Sequence, residues 1–334
     1  MKILATTFVA AIFLAPAVSP QQEQFPASAI DSAVSVFADS GFTGVIVIRE
    51  KGHVVFRRAY GSPGEISISS KFWIGSITKS FTAAAVLRLA EQGRLRLGDS
   101  IARFIRNAPA DKQNITIDQL LTHTSGIDGN YAGEGKTTRD EAISAILAQR
   151  LSHAPGAHYR YMDDDYELLA AIVELVSGTT WEAYVEREMI ARAGLRDTGF
   201  SSADDWAHKG ANGMSSTASD LLLWETALSS ARVLSASDSK MLGAPHIFVR
   251  RERGEDVYYG YGVRVYMSGG RATEVMHSGS SDEGNTAIMR IFNNGFDIVV
   301  LARGGDHGGT TWSAYVAHHL PLSDRRTSNA VRVR

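Results

Sequence analysis

Ser76 and Lys79 stand three residues apart in Gly75-Ser76-Ile77-Thr78-Lys79, at the head of a run in which Ile77, Phe81, Ala84, Ala85 and Leu89 recur at helical spacing. On a helix that spacing puts both side chains on one face. A serine hydroxyl attacks a carbonyl only when a neighbour takes its proton. A lysine can do so if its pKa, about 10.4 when free, is lowered by burial or nearby positive charge. Backbone N–H groups at the helix start would face the negative charge that develops on the carbonyl oxygen. The pair suits acyl transfer through a covalent intermediate. The alternative is a helix cap followed by a surface lysine, and two residues alone do not separate the readings.

Other chemistry-bearing residues are weaker candidates. Asp163-Asp164-Asp165 could collect a hard cation, but no histidine cluster accompanies the run, so no metal is expected there. For Asp164 and Asp165 an acidic loop and helix cap is the simpler reading. Gly304 to Gly309 lacks the lysine and spacing of a phosphate-binding loop and reads as a turn.

The elements that must position these residues follow from the pattern. A first helix spans about Ser28 to Phe37. Gly44 to Ile48 and Val54 to Phe56 form a hairpin around Lys51-Gly52. The helix opened by Ser76 stops at Gly93. Thr116 and Gln119 form a capping box, Tyr166 to Val176 is a helix closed by Ser177-Gly178, and Thr217 and Asp220 start another. Arg250, Arg251 and Arg253, interrupted by Glu252, Glu255 and Asp256, read as a solvated loop. Tyr258 to Tyr266 reads as a strand, and Ala287 to Phe292 and Phe296 to Leu301 flank the turn Asn293-Asn294-Gly295. A last helix lies around Trp312 to His319. Strands near both ends and helices between them imply an α/β fold of α+β type, with one antiparallel sheet built from both chain ends and flanked by helices. The α/β part covers about residues 25–90 and 250–320, and a helical insertion about 91–249.

Composition bounds the rest. The 334 residues are 44% hydrophobic and 21% charged with net charge −2, which does not point to nucleic acid. Lys2, the apolar run Ile3 to Ala15 and Ala15-Pro16-Ala17 read as a signal peptide over residues 1–17, leaving one domain over 18–334. The run is shorter than the about 20 apolar residues of a membrane span, so no stable anchor is expected after cleavage. With no cysteine there is neither a disulfide nor a lipidated N-terminal Cys, and a periplasmic or secreted location fits. The polar tail over 323–334 is expected to be disordered.

Phe72 to Ala83 resembles the nucleophile segment of class C β-lactamases, D-alanyl-D-alanine carboxypeptidases, family VIII esterases and D-aminopeptidases. The resemblance continues, in the family's order, at Gly41 to Gly61, Leu120 to Ile127, Pro155-Gly156, Leu168 to Gly178, Met214 to Trp224, Tyr259 to Gly262 and His277-Ser278-Gly279. It implies a β-lactamase/transpeptidase-like fold with Ser76 as nucleophile, Lys79 as its activator and Tyr161 as general base, with Tyr159 as competitor for that role. It makes Leu120 to Ile127, with His123, a structural turn near the cleft. It puts Asp163 where the family has an asparagine that donates to a substrate amide; an aspartate there only accepts and would stabilise a protonated Lys79. His277, Gly279 and Ser280 would line the substrate site, with Gly279 admitting substrate and the Ser280 and Ser76 N–H groups forming the oxyanion hole.

No cofactor is implied. The expected partner is a small-molecule or peptide substrate: an ester, a D-amino-acid peptide or amide, a peptidoglycan fragment or a β-lactam. An anionic Asp163 and a neutral His277, the latter protonating toward pH 6, would favour esters or amine-bearing peptides over β-lactams. The alternative is a protein of the same fold that has lost turnover and senses cell-wall ligands.

Overall fold

The computed structural model describes residues 27–62, 64–200, 205–252, 254–280, 285–304, 306–307, 310–311 and 320. The expected signal peptide, the helix around 312–319 and the polar tail lie outside these residues.

Among them, α1 (Ala27–Asp39) leads into the hairpin β1 (Thr43–Glu50) and β2 (His53–Tyr60). The short β3 (Phe72–Trp73) precedes a 3-10 turn, Gly75–Ile77, and α2 (Thr78–Glu91). The helical stretch continues with α3 (Ile117–Leu121), α4 (Arg139–Leu147), α5 (Asp163–Ser177), α6 (Trp181–Val185) and α7 (Ala191–Ala193). Next come β4 (Gly199–Phe200), β5 (Met214–Ser216), α8 (Ala218–Ser229) and α9 (Ala236–Leu242). The chain then returns to strands: β6 (Ile247–Glu252), β7 (Glu255–Tyr259), β8 (Arg264–Ser268), β9 (Arg271–Ser280), β10 (Thr286–Phe292) and β11 (Phe296–Arg303).

Together with β1 and β2, these six strands form one eight-stranded sheet in the order β2-β1-β11-β10-β9-β8-β7-β6, every neighbour antiparallel. Strands from both chain ends meet at the β1–β11 pair. The period-2 alternation of β1 explains the layering. Val45 and Val47 join a large core shared with α2, α3, α5 and α8, while Ile46 and Ile48 pack with Ile30 and Val34 of α1 on the other face. Helix α2 is buried on nearly all sides: Phe81, Val86, Leu87 and Leu89 pack into the core, and the polar Lys79, Ser80 and Thr82 are buried with hydrogen-bond partners.

Two local readings differ. The arginine-bearing segment taken as a solvated loop is β6, which pairs with β7 as a sheet edge. Its Arg250, Arg251 and Glu252 remain half-buried or exposed, so an edge strand with a polar face looks like a loop by composition alone. The strand expected from Tyr258 to Tyr266 is instead the end of β7 and the start of β8, broken at Gly260 to Val263, where Gly262 takes a positive φ of 72°.

Candidate active site

Ser76 lies in the 3-10 turn that feeds α2, partly exposed, while Lys79 in the first turn of α2 has no exposed surface. The turn is possible because Gly75 has φ 52°, a conformation only glycine adopts without cost. It is held against the sheet at β9. A Cβ on Gly279 would overlap the Ile74 carbonyl oxygen, and a Cβ on Gly75 would come within 2.9 Å of Gly279 Cα and 3.0 Å of Ser280 N. Gly279 is therefore required for close approach of the nucleophile turn. The same packing brings the exposed Ser280 alongside the turn that carries Ser76.

Lys79 Nζ donates to Ser76 Oγ at 3.0 Å, to Asp163 Oδ1 at 2.6 Å and to the Ala211 carbonyl at 3.1 Å. Its three protons are all used. It also sits 4.8 Å from the centre of the Tyr161 ring and 5.7 Å from that of Tyr166. Burial by itself would lower the Lys79 pKa. The charges and hydrogen bonds of Tyr161 and Asp163 outweigh burial and hold it above its ordinary value. Lys79 is thus an ammonium in the resting protein. The requirement for a depressed lysine pKa is not met, and a lysine that keeps its proton cannot be the group that takes one from Ser76.

Asp163 stands at the first position of α5 and is 4% exposed. Its Oδ1 accepts from Lys79, its Oδ2 accepts from Asn212 Nδ2 at 3.2 Å, and its backbone N–H donates to Asn130 Oδ1 at 2.8 Å. The carboxylate therefore turns inward to neutralise a buried ammonium and does not face substrate as the sequence reading had it. A buried cation needs a counter-charge, and Asp163 supplies it. Asp164 and Asp165 begin the helix as expected, but they are fully buried rather than solvated. Asp164 accepts the Ala132 N–H at 2.9 Å.

Of the two tyrosines, Tyr161 is the one beside Lys79. Tyr159 packs 5.6 Å from Tyr259, and burial pushes its phenol up to about 12 although Arg264 pulls the other way. His277 has no exposed surface. Its Nδ1 lies 2.7 Å from the Ser278 carbonyl and its Nε2 3.4 Å from Tyr259 Oη. Burial, with the positive charges of Arg264 and Lys79, lowers its pKa well below the ordinary imidazole value. The expectation that His277 contacts substrate and protonates toward pH 6 is therefore corrected: it is a buried, neutral ring behind Tyr161, 6.2 Å centre to centre.

Sequence reasoning missed Arg264. Its guanidinium lies 6.0 Å from the Tyr161 ring centre, it is half-buried, and its Nε has no hydrogen-bond partner among the described residues. The signal was a lone arginine in the apolar alternation Val263-Arg264-Val265, just after the Tyr259-to-Gly262 segment. Asn130 and Asn212, which flank Asp163 from distant loops, carry no sequence pattern that would have found them. His123, φ 55°, is a buried turn residue whose ring nitrogens face Asp165 and Tyr259 rather than Ser76.

The family model described as Beta-lactamase matches residues 30–320. PbpX of Bacillus subtilis (strain 168), which bears the name of a penicillin-binding protein, is 34% identical over 165 residues, 48% of this chain and 42% of that protein. The chain thus matches less than half the length of that curated relative. A penicillin-binding protein from Bacillus halodurans superposes with TM-score 0.74 at 22% identity, covering 86% of this chain and 98% of that one. A D-stereospecific amidohydrolase from Streptomyces sp. superposes with TM-score 0.71 at 22% identity, covering 89% and 99%.

Proposed function

The chain belongs to the Beta-lactamase family, and from that premise we propose that it is an exported serine hydrolase working through an acyl-enzyme on Ser76. The observation that carries this reading is the contact of the partly exposed Ser76 Oγ with a buried ammonium, 3.0 Å away, that is itself fixed by Asp163 at 2.6 Å. Lys79 stays a cation and holds the nucleophile in place. Tyr161, through its phenol oxygen, takes the Ser76 proton as the hydroxyl oxygen attacks the carbonyl carbon, and later returns it to the leaving group. The Ser76 and Ser280 N–H groups receive the oxyanion. Water, deprotonated by the same phenol oxygen, then releases the acid and restores Ser76.

Substrates bear an ester or a peptide or amide bond, the D-amino-acid class among them. Asp163 is neutralised by Lys79, so the site carries no free anion there to repel a carboxylate, and Arg264 offers a cation near Tyr161. Substrates with a carboxylate beside the scissile bond are therefore favoured over their amidated counterparts. This reverses the preference that an anionic Asp163 with a neutral His277 would have set.

Labelling tests the reading directly. A fluorophosphonate should add one adduct to the intact mass, on the peptide containing Ser76. A wild-type protein that stays unlabelled and does not turn over any ester or peptide would instead be a binding protein.

Two kinetic results are expected besides. Tyr161→Phe should lower kcat for a chromogenic ester by about 10²-fold or more, the usual worth of a general base, while Tyr159→Phe stays within about threefold. The reverse order would move the proton acceptor to Tyr159. Arg264→Gln should cut the kcat/KM ratio of a carboxylate substrate to its amide by about tenfold, equivalent to about 1.4 kcal/mol. In the wild type that ratio should not rise from pH 8 to pH 6, because His277 stays neutral. A ratio that climbs toward pH 6, or that ignores Arg264, would refute the selectivity argument.

A further inference from the structure

Behind Tyr161 runs a chain of buried hydrogen bonds that the acyl-transfer scheme does not use. Asp165 Oδ2 lies 3.1 Å from His123 Nδ1, His123 Nε2 lies 3.2 Å from Tyr259 Oη, Tyr259 Oη lies 3.4 Å from His277 Nε2, and His277 Nδ1 lies 2.7 Å from the Ser278 carbonyl oxygen. All four side chains are at most 1% exposed.

The proton order along this chain follows from its last link. A carbonyl oxygen only accepts, so His277 Nδ1 carries a hydrogen. In a neutral ring Nε2 is then an acceptor, and the hydrogen between it and Tyr259 belongs to the phenol. The Tyr259 oxygen next accepts from His123 Nε2–H. His123, also neutral, is left with Nδ1 as an acceptor, so the hydrogen between His123 and Asp165 must sit on Asp165. Neutral rings are what the surroundings require. Burial lowers the His123 pKa well below the ordinary value, with help from the charges of Lys79 and Arg264, and burial lowers that of His277 likewise. Burial pushes the Asp165 carboxyl well above its ordinary range. Asp164 adds to that push, and the opposing pulls of Ser125, Lys79 and Arg160 do not cancel it. The remaining groups that face His123 are the phenols Tyr159, Tyr161 and Tyr166, besides Tyr259.

The chain joins the two halves of the molecule. Asp165 is two residues beyond Asp163 on α5, and His277 is two residues before Gly279 on β9, where the strand meets the nucleophile turn. Along the way the His123 ring lies 4.6 Å from that of Tyr161. We propose that Asp165, carrying its proton, is a positioning residue that sets the tautomers of His123 and His277 through Tyr259 and so holds in place the wall against which Tyr161 works. This rests on the acyl-transfer reading only for its effect on rate; the proton order stands by itself.

Two experiments test it. In wild-type protein with ¹⁵N-labelled histidine, His277 should show the Nδ1–H tautomer and His123 the Nε2–H tautomer, neither changing between pH 6 and pH 8. Either ring titrating in that window, or the opposite tautomers, overturns the proposal whether or not the protein is an enzyme. The kinetic arm replaces Asp165. Asp165→Asn keeps a donor toward His123 Nδ1, so kcat should stay within about threefold and keep its pH profile. Asp165→Ala removes the donor, so kcat should fall about tenfold or more with KM within about threefold, and adding His123→Ala should not multiply the loss. An asparagine variant as impaired as the alanine variant would mean that a carboxylate charge is needed, which overturns the assignment. An alanine variant with full kcat would do the same. Loss of Ser76 labelling in wild type would sink the acyl-transfer reading while leaving the tautomer result to judge the chain.

Discussion

Ser76→Ala should reduce kcat/KM on a chromogenic ester by about 10³-fold or more, with almost no change in melting temperature. The covalent route needs one attacking oxygen, and Ser76 Oγ is an aliphatic hydroxyl held by the Lys79 ammonium at 3.0 Å. The energetic cost to the fold is small because Ser76 is only partly buried and its Oγ accepts one hydrogen bond. Lys79 keeps its stronger partner, Asp163. Removal of the hydroxyl in combination with Lys79→Ala or Tyr161→Phe should cost little more than Ser76→Ala alone, since the three act as one unit. Multiplying losses, or turnover near wild type in the single variant, would remove Ser76 from the mechanism.

Lys79→Ala should bring activity to the same floor and, unlike Ser76→Ala, should destabilise the protein by about 3–5 kcal/mol, the cost of leaving one partner of a buried ion pair uncompensated. The stranded group is the Asp163 carboxylate, whose side chain is 5% exposed. Adding Asp163→Asn removes the stranded charge. The double variant should recover most of the lost stability and none of the activity, which chemical denaturation at pH 7 and an ester assay would read out together. The pair also fixes a pH dependence. The Lys79 pKa is raised on folding, so its contribution to stability is complete below the unfolded value of about 10.4 and is lost as pH rises through the higher folded value. The stability gap between wild type and Lys79→Ala should thus be constant from pH 7 to about 9 and close only at strongly alkaline pH. A gap that closes near pH 8, or a double variant as unstable as the single one, would show that the ion pair is not what Lys79 contributes.

The sequence by itself determined the framework. Period-2 alternation in Val45 to Ile48, the glycine turns, the capping box at Thr116 and Gln119, and the Gly178 helix stop each rest on interactions between near neighbours, and each is found in the fold. The order of motifs along the chain likewise identified the family, because Ser76-x-x-Lys79 and the segments after it carry their spacing in the sequence. What lay beyond reach was orientation. Whether Asp163 faces substrate or Lys79 depends on Asn130, Ala211 and Asn212, which arrive from loops far away in the chain. Whether His277 meets water depends on Tyr259 and on a strand pairing that hides it. Arg264 comes near Tyr161 only because β8 lies beside β9 in the sheet. Protonation states followed the same division. A free lysine, aspartate or histidine has a known titration range, but burial and the charges brought close by folding moved Lys79 up, Asp165 up and His277 down. Those shifts are sums over tertiary neighbours, so only the tertiary structure could decide them.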